Sequence, residues 1–278
     1  LCADRITYLK RSGGKSTVES VDGTVTGWNA KAVSYRTDDN KTGTVDSASV
    51  ISISREGGSM SAELADAIKL SGQDPQAAVE ALTQLASRGN DLDKEEALFR
   101  KADLWGGEAR SSNKASAYNT AIAEYNAYVG KYKAGFFARE AYVQLANCQR
   151  TRKKPADARA TLKSMINADP ALARLGNQKL GELECNQGDW NAALTALKAA
   201  ENASGEDKNA KYMALAWQGL ATLKKGDAAA ARGILETVTN DENFQDEGSE
   251  DEAALAVAYP ALGDAYFAAG NFQKGYDA

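Results

Sequence analysis

One pattern constrains this chain more than any other. In its second half a small residue at the centre of a helix-compatible segment returns at near-regular intervals. The centres are Leu145-Ala146, Leu180-Gly181, Gln218-Gly219 and Leu262-Gly263, at spacings of 35, 38 and 44 residues. Seven residues beyond each lies a turn: Gly188-Asp189-Trp190, Gly226-Asp227-Ala228 and Gly270-Asn271-Phe272, with Lys153-Lys154-Pro155 in the first copy. A second small residue follows at a fixed offset (Ala158, Ala193, Ala231, Gly275), and Leu162, Leu197 and Leu235 come four residues later. A period of this length, with two helical segments joined by one turn, predicts an array of helical hairpins. No such hairpin covers its apolar face alone, so neighbours must stack. The small residues let paired helices approach closely, and the Leu positions fill the layer between them.

The array is expected to occupy residues 58–278. Residues 59–88 and 92–132 read as two less regular hairpins, with Asp91 or Asp93 as an N-cap and Gly106-Gly107 as a helix stop. That makes about six helical pairs. The last is incomplete at Ala278, so the natural chain is expected to continue. Residues 1–57 differ in kind. The segments 6–9, 17–19, 23–28, 32–35 and 50–53 read as short alternating strands. Turns at Gly13-Gly14, Asp22-Gly23 and Asp38-Asp39-Asn40-Lys41 join them. So small a sheet left flat would expose its edges and one apolar face, which predicts a small barrel. Arg55-Glu56-Gly57-Gly58-Ser59 reads as the linker. The expected class is therefore mainly α: an α-solenoid preceded by a small all-β, barrel-like domain.

Chemistry is narrowed by what the chain lacks. Its 278 residues include no His, which removes the Ser-His-Asp triad, the Cys-His dyad and His-ligated zinc. With 33 basic against 38 acidic residues the net charge is -5, which disfavours nucleic acid as a partner. No stretch reaches the roughly 18 apolar residues of a membrane span. Cys2, Cys148 and Cys185 are too few for a disulfide framework. Cys148 and Cys185 fall at nearly equivalent helix positions and read as buried small hydrophobes, since two thiols without His make a poor zinc site. Gly13-Gly14-Lys15-Ser16 imitates the end of a phosphate loop, but Leu9 stands where the first glycine is required and a strand follows, so it reads as a hairpin turn. Glu182 and Glu184, two apart on one helix, point to different faces and do not form a carboxylate pair. No catalytic residue, metal or cofactor is expected. Tyr118, Tyr125, Tyr128 and Tyr132 follow one helix face and read as core in preference to a binding stripe; Trp190 and Phe272 read as interlayer packing.

What remains is surface. The exposed side of the first helices would line a groove with Asn147, Arg150, Gln178, Glu182, Asn186, Met213, Lys224 and Asp264. Arg150, Arg152, Lys153 and Lys154 form a basic turn, and Asp246, Glu247, Glu250 and Asp251 belong to an acidic stretch without a basic residue. A partner, or another copy of the chain, could bridge these patches. The sequence opens on Leu1 and not Met, which reads as the loss of an N-terminal segment, by processing or by the choice of the stretch, and points weakly to export. Cys2 is not expected to carry a lipid, because Leu1 precedes it.

From residue 139 onward the Leu-Gly, aromatic, Ala and Pro positions resemble the tetratricopeptide repeat, most closely over 139–170, which closes on Asp169-Pro170. The resemblance implies a protein-binding solenoid. The lysine and asparagine clamp of some family members is not reproduced, since Val143 and Gln178 stand where lysine would be needed. The stretch 121–146, with Tyr125, Tyr128, Tyr132, Phe136, Phe137 and Tyr142, is similar to repeats of bacterial envelope proteins. That implies a periplasmic or cell-surface location. The β region resembles Sm-like and SH3-like small barrels, which commonly assemble edge to edge into rings. It lacks the Arg-Gly of RNA-binding Sm proteins, with Ser52-Ile53-Ser54 in its place, so RNA binding is disfavoured. The function expected is a non-enzymatic protein–protein interaction scaffold, the alternatives being a self-assembling ring or filament subunit and, behind it, an Sm-like nucleic-acid module.

Overall fold

The computed structural model describes residues 3–12, 15–55, 58–241 and 249–277. Among them run five strands, β1 (Asp4–Ser12), β2 (Lys15–Trp28), β3 (Ala32–Arg36), β4 (Thr42–Asp46) and β5 (Val50–Ser54). Helices follow: α1 (Ala62–Leu70), α2 (Pro75–Arg88), α3 (Asp91–Ser112), α4 (Ala115–Lys131), α5 (Ala138–Thr151), α6 (Pro155–Ala168), α7 (Pro170–Gln187), α8 (Trp190–Asn202), α9 (Lys208–Lys224), α10 (Ala228–Thr239), α11 (Ser249–Ala268) and α12 (Phe272–Asp277). The protein is mainly helical, with a small antiparallel sheet at its N-terminal end. It divides into two compact units, Leu1–Thr161 and Leu162–Ala278. No helix among the described residues is long and apolar enough to cross a membrane.

The strand order is β4-β3-β2-β1-β5. The two outer strands are consecutive in sequence, joined by a turn in which the Ser49 N–H donates to the Asp46 carbonyl at 2.9 Å. In a flat sheet they would stand about 19 Å apart, at about 4.8 Å per strand. So tight a turn brings the end of β4 to the start of β5 and forces the sheet to curl. Segments 17–19 and 23–28 belong to one 14-residue strand, β2, with a register shift between Val25 and Gly27 where it passes from β1 to β3. Ser12 pairs with Lys15, so β1 and β2 form a hairpin. Gly13 and Gly14, like Cys2, Glu56 and Gly57, lie outside the described residues. The core of Ile6, Val25, Val33 and Val45 is completed by Leu92 of α3 and by Phe136. Two further bonds tie sheet to helices: the Ala30 N–H to the Ala134 carbonyl at 2.9 Å and Arg139 Nη1 to the Ser47 carbonyl at 3.3 Å.

In the same unit α1 packs on α2 and α3 on α4. Two local expectations are corrected. The N-cap of α3 is Asn90, whose side chain accepts from the Asp93 N–H, because Asp91 and Asp93 already sit in the first turn and favour its positive dipole end. Gly106-Gly107 does not stop the helix. Gly106 is where Tyr125 of α4 presses against α3, in the space a Cβ would take.

The repeated turns share one geometry. The N–H of Lys153, Gly188, Gly226 and Gly270 donates three residues back, to Arg150, Cys185, Leu223 and Phe267, at 2.9, 3.1, 2.8 and 3.0 Å. The next N–H reaches five residues back, from Lys154, Asp189, Asp227 and Asn271 to Gln149, Glu184, Thr222 and Tyr266. All four turn residues have positive φ: 57°, 77°, 99° and 75°. This is a helix C-terminal cap that strongly favours glycine. Asp189 and Asp227 then cap the following helices by accepting from Ala192 and Ala230. In the second unit a Cβ at Gly181 or Gly219 would run into Leu197 of α8 or Leu235 of α10, each fully buried.

Candidate functional site

In the unit Leu162–Ala278 the first helix of each hairpin contacts the next: α7 touches α9, and α9 packs along α11. Their outward side chains therefore form one surface. Asn186, Lys224 and Asp264 are exposed on it, and Glu182 is half-buried. Lys224 Nζ lies 3.7 Å from Asp264 Oδ2, linking α9 to α11, and Lys179 Nζ holds Glu182 at 2.9 Å. Two residues expected on this face are drawn away from it to different degrees. Gln178 is only 4% exposed, because it lies three residues before Gly181 on the side of α7 that faces the core; its Nε2 donates to Glu182 at 3.1 Å. Met213 is half-buried and packs against the cluster of Ala216, Leu235 and Leu262.

In the unit Leu1–Thr161, Asn147, Arg150, Lys153 and Lys154 are exposed and Arg152 is half-buried. Of the acidic patch, Asp246 and Glu247, and the side chains of Glu250 and Asp251, lie outside the described residues. Tyr118, Tyr125 and Tyr128 are core, as their spacing predicts, and Tyr132 is half-buried. The two inner thiols, Cys148 and Cys185, are free and buried. Burial pushes both pKa values up, that of Cys185 to about 12, so neither is a thiolate at neutral pH.

A second site, where the sheet meets α3, escaped the sequence reading. Arg55, assigned there to a linker, is 1% exposed. Its Nη1 donates to Glu96 at 2.6 Å, its Nη2 to Asp93 at 2.7 Å and to the Ser59 carbonyl at 2.8 Å, and its Nε to Ser59 Oγ at 2.9 Å. The guanidinium also lies 4.8 Å from the Trp28 ring. A lone buried cation would be prohibitive; two carboxylates on one turn of α3 make it tolerable. Next to it Glu95 accepts from Tyr128 Oη at 2.7 Å and Trp28 Nε1 at 3.0 Å. Burial raises the Glu95 pKa despite these donors and the N–H groups of Phe136 and Phe137. Gly135 passes so close to this carboxylate that a Cβ would collide with it. Trp28 stacks on Phe136 with centroids 5.2 Å apart, and Phe137 stacks on Phe99 at 4.6 Å. A cavity of about 230 Å³ opens beside β5, between Val50, Ile51, Ser52 and Ile53 on one side and Glu96 and Arg100 of α3 on the other, with Trp28, Phe136 and Phe137 also lining it.

No protein-family model and no curated protein matches the chain. Among solved structures it is similar to BtubC (BKLC) from P. vanneervenii, with 17% identity and a TM-score of 0.51 over 77% of this chain and 83% of that one. At that identity the likeness is one of fold.

Proposed function

We propose that the protein is a non-enzymatic protein–protein interaction scaffold, with hairpins stacked as a tetratricopeptide-like α-solenoid behind a small curled sheet. The observation that carries this reading is the side-by-side arrangement of α7, α9 and α11, which sets Asn186, Lys224 and Asp264 on one exposed face. A face built from successive helices offers area and a mixture of charges, which suits another polypeptide better than a small molecule. We extend the reading to the bacterial periplasm or cell surface, on the likeness of residues 121–146 to envelope-protein repeats. Cross-linking of the intact chain in an extract of its source cells, read by mass spectrometry, tests the scaffold. Links from Lys179 and Lys224 to a second polypeptide are expected, and an Asn186→Arg, Asp264→Lys variant should lose them while keeping its helical circular dichroism. Links confined to the chain itself would defeat the reading.

A further inference from the structure

β5 is an outer strand of the sheet and, among the described residues, pairs with β1 alone. The cavity beside it meets Val50, Ile51, Ser52 and Ile53 in succession. Val50 and Ile53 pack toward the core while Ile51 and Ser52 are exposed on the other side, so a space that touches all four runs along the edge, where unpaired N–H and C=O groups project. Exposed edges are ordinarily guarded by a charge, a proline or a covering element. This one has the sequence Val50-Ile51-Ser52-Ile53-Ser54, and Ile51 is 52% exposed.

The remaining walls state what the slot would accept. Trp28, Phe136 and Phe137 offer an apolar surface. At about 230 Å³ the space falls below the 300–1,000 Å³ usual for small-molecule sites and suits one or two side chains. Two guanidinium groups and one carboxylate line it, and Asp93 behind them offsets Arg55. Arg55 is consumed by its bonds to Asp93, Glu96 and Ser59. Arg100 spends Nε and Nη2 on Glu96, which leaves Nη1 for an incoming oxygen, and its side chain is 40% exposed.

We propose that this slot docks an extended, acidic segment of a partner protein. The segment adds as a strand to the free edge of β5, lays an apolar side chain against Trp28, Phe136 and Phe137, and sets a carboxylate on Arg100. Backbone pairing supplies affinity and the two side-chain positions supply selectivity. The site uses none of the residues of the α7, α9 and α11 face, so its test stands apart from that of the scaffold.

The test uses the full chain and a fluorescent decapeptide of alternating Val and Thr with one central Asp, beside a counterpart with Lys in place of the Asp, read by anisotropy. The Asp peptide is expected to bind about tenfold or more tightly than the Lys peptide, as a charge-assisted bond requires. Arg100→Glu should invert that preference. Ile51→Pro should abolish binding of both. Ile51 is the extra residue at the bulge between the pairs Thr7–Ser52 and Tyr8–Val50 and stands opposite no residue of β1, and bulges are where sheets tolerate proline, so the sheet should survive. If Ile51→Pro fails to fold, the inversion by Arg100→Glu decides alone. Equal affinity for the two peptides, a preference untouched by Arg100→Glu, or no binding at about 1 mM peptide would overturn the proposal. So would light scattering that shows a concentration-dependent dimer dissolved by Ile51→Pro, which would assign the edge to a second copy.

Discussion

Lys153 holds a backbone conformation that its three counterparts, Gly188, Gly226 and Gly270, reach without a Cβ. The left-handed region costs an ordinary L-residue about 1–2 kcal/mol, of which glycine's greater freedom in the unfolded chain returns a part. Lys153→Gly is therefore expected to stabilise the protein by about 1 kcal/mol, and Gly226→Ala to destabilise it by a similar amount, read as shifts of the urea midpoint at constant slope. Null effects of both would mean that the left-handed conformation carries no cost in these turns. Glu95 yields a prediction of a different kind. Burial raises its folded-state pKa above the unfolded value, so the folded protein binds the extra proton. Its contribution is present in full at low pH and is lost as pH rises through the folded value. The cost of Glu95→Gln, a neutral isostere, should accordingly be larger at about pH 5 than at about pH 8. The opposite order would show that the donors from Tyr128 and Trp28 outweigh desolvation.

Between elements, the close approach of α9 to α10 depends on Gly219 leaving room for Leu235. Gly219→Ala alone should cost about 1–3 kcal/mol by overpacking, and Leu235→Ala about 2–5 kcal/mol by opening a cavity. Combined, the new methyl enters the vacated space, so the double variant should fall short of the sum by about 1 kcal/mol. Strict additivity in chemical denaturation would separate the two sites. The same pair shows why the hairpins were legible before any coordinates. Their turns are closed by bonds three and five residues long, and their close contacts join a glycine to a leucine 16 residues on, so the determinants lie within one period. β4 was missed because Thr42–Asp46 buries only Val45, and Tyr35 occupies the space beside Gly43, leaving little alternation to read. The Arg55 site was missed for the opposite reason. Its partners Asp93 and Glu96 stand 38 and 41 residues away, and an arginine beside glycines reads locally as linker. Gln178, expected on the exposed side of the first helices, is buried because it lies one turn before Gly181, and the glycine marks the core side.

At the scale of the molecule, sheet and first helices share one unit, and Arg55 joins them from the end of β5 to two carboxylates of α3. Removing it strands those carboxylates in the interior. Arg55→Met is expected to cost about 3–5 kcal/mol, the loss appropriate to a buried pair that keeps only one sign of charge. Asn90 and Ser61 still donate to Asp93, and Arg100 to Glu96, which holds the figure toward its lower end. Converting the whole triad to apolar residues, Arg55→Met with Asp93→Leu and Glu96→Leu, should recover much of that loss, because no uncompensated charge is then buried. Hydrogen exchange shows where the loss falls. Amides of β1, β5 and α3 should lose protection in the single variant. Those of α8 and α10, held by Leu197 and Leu235 in the other unit's own clusters, should keep theirs. A uniform loss along the chain would mean that the two units unfold as one, and that Arg55 secures the whole molecule and not only the seat of the sheet.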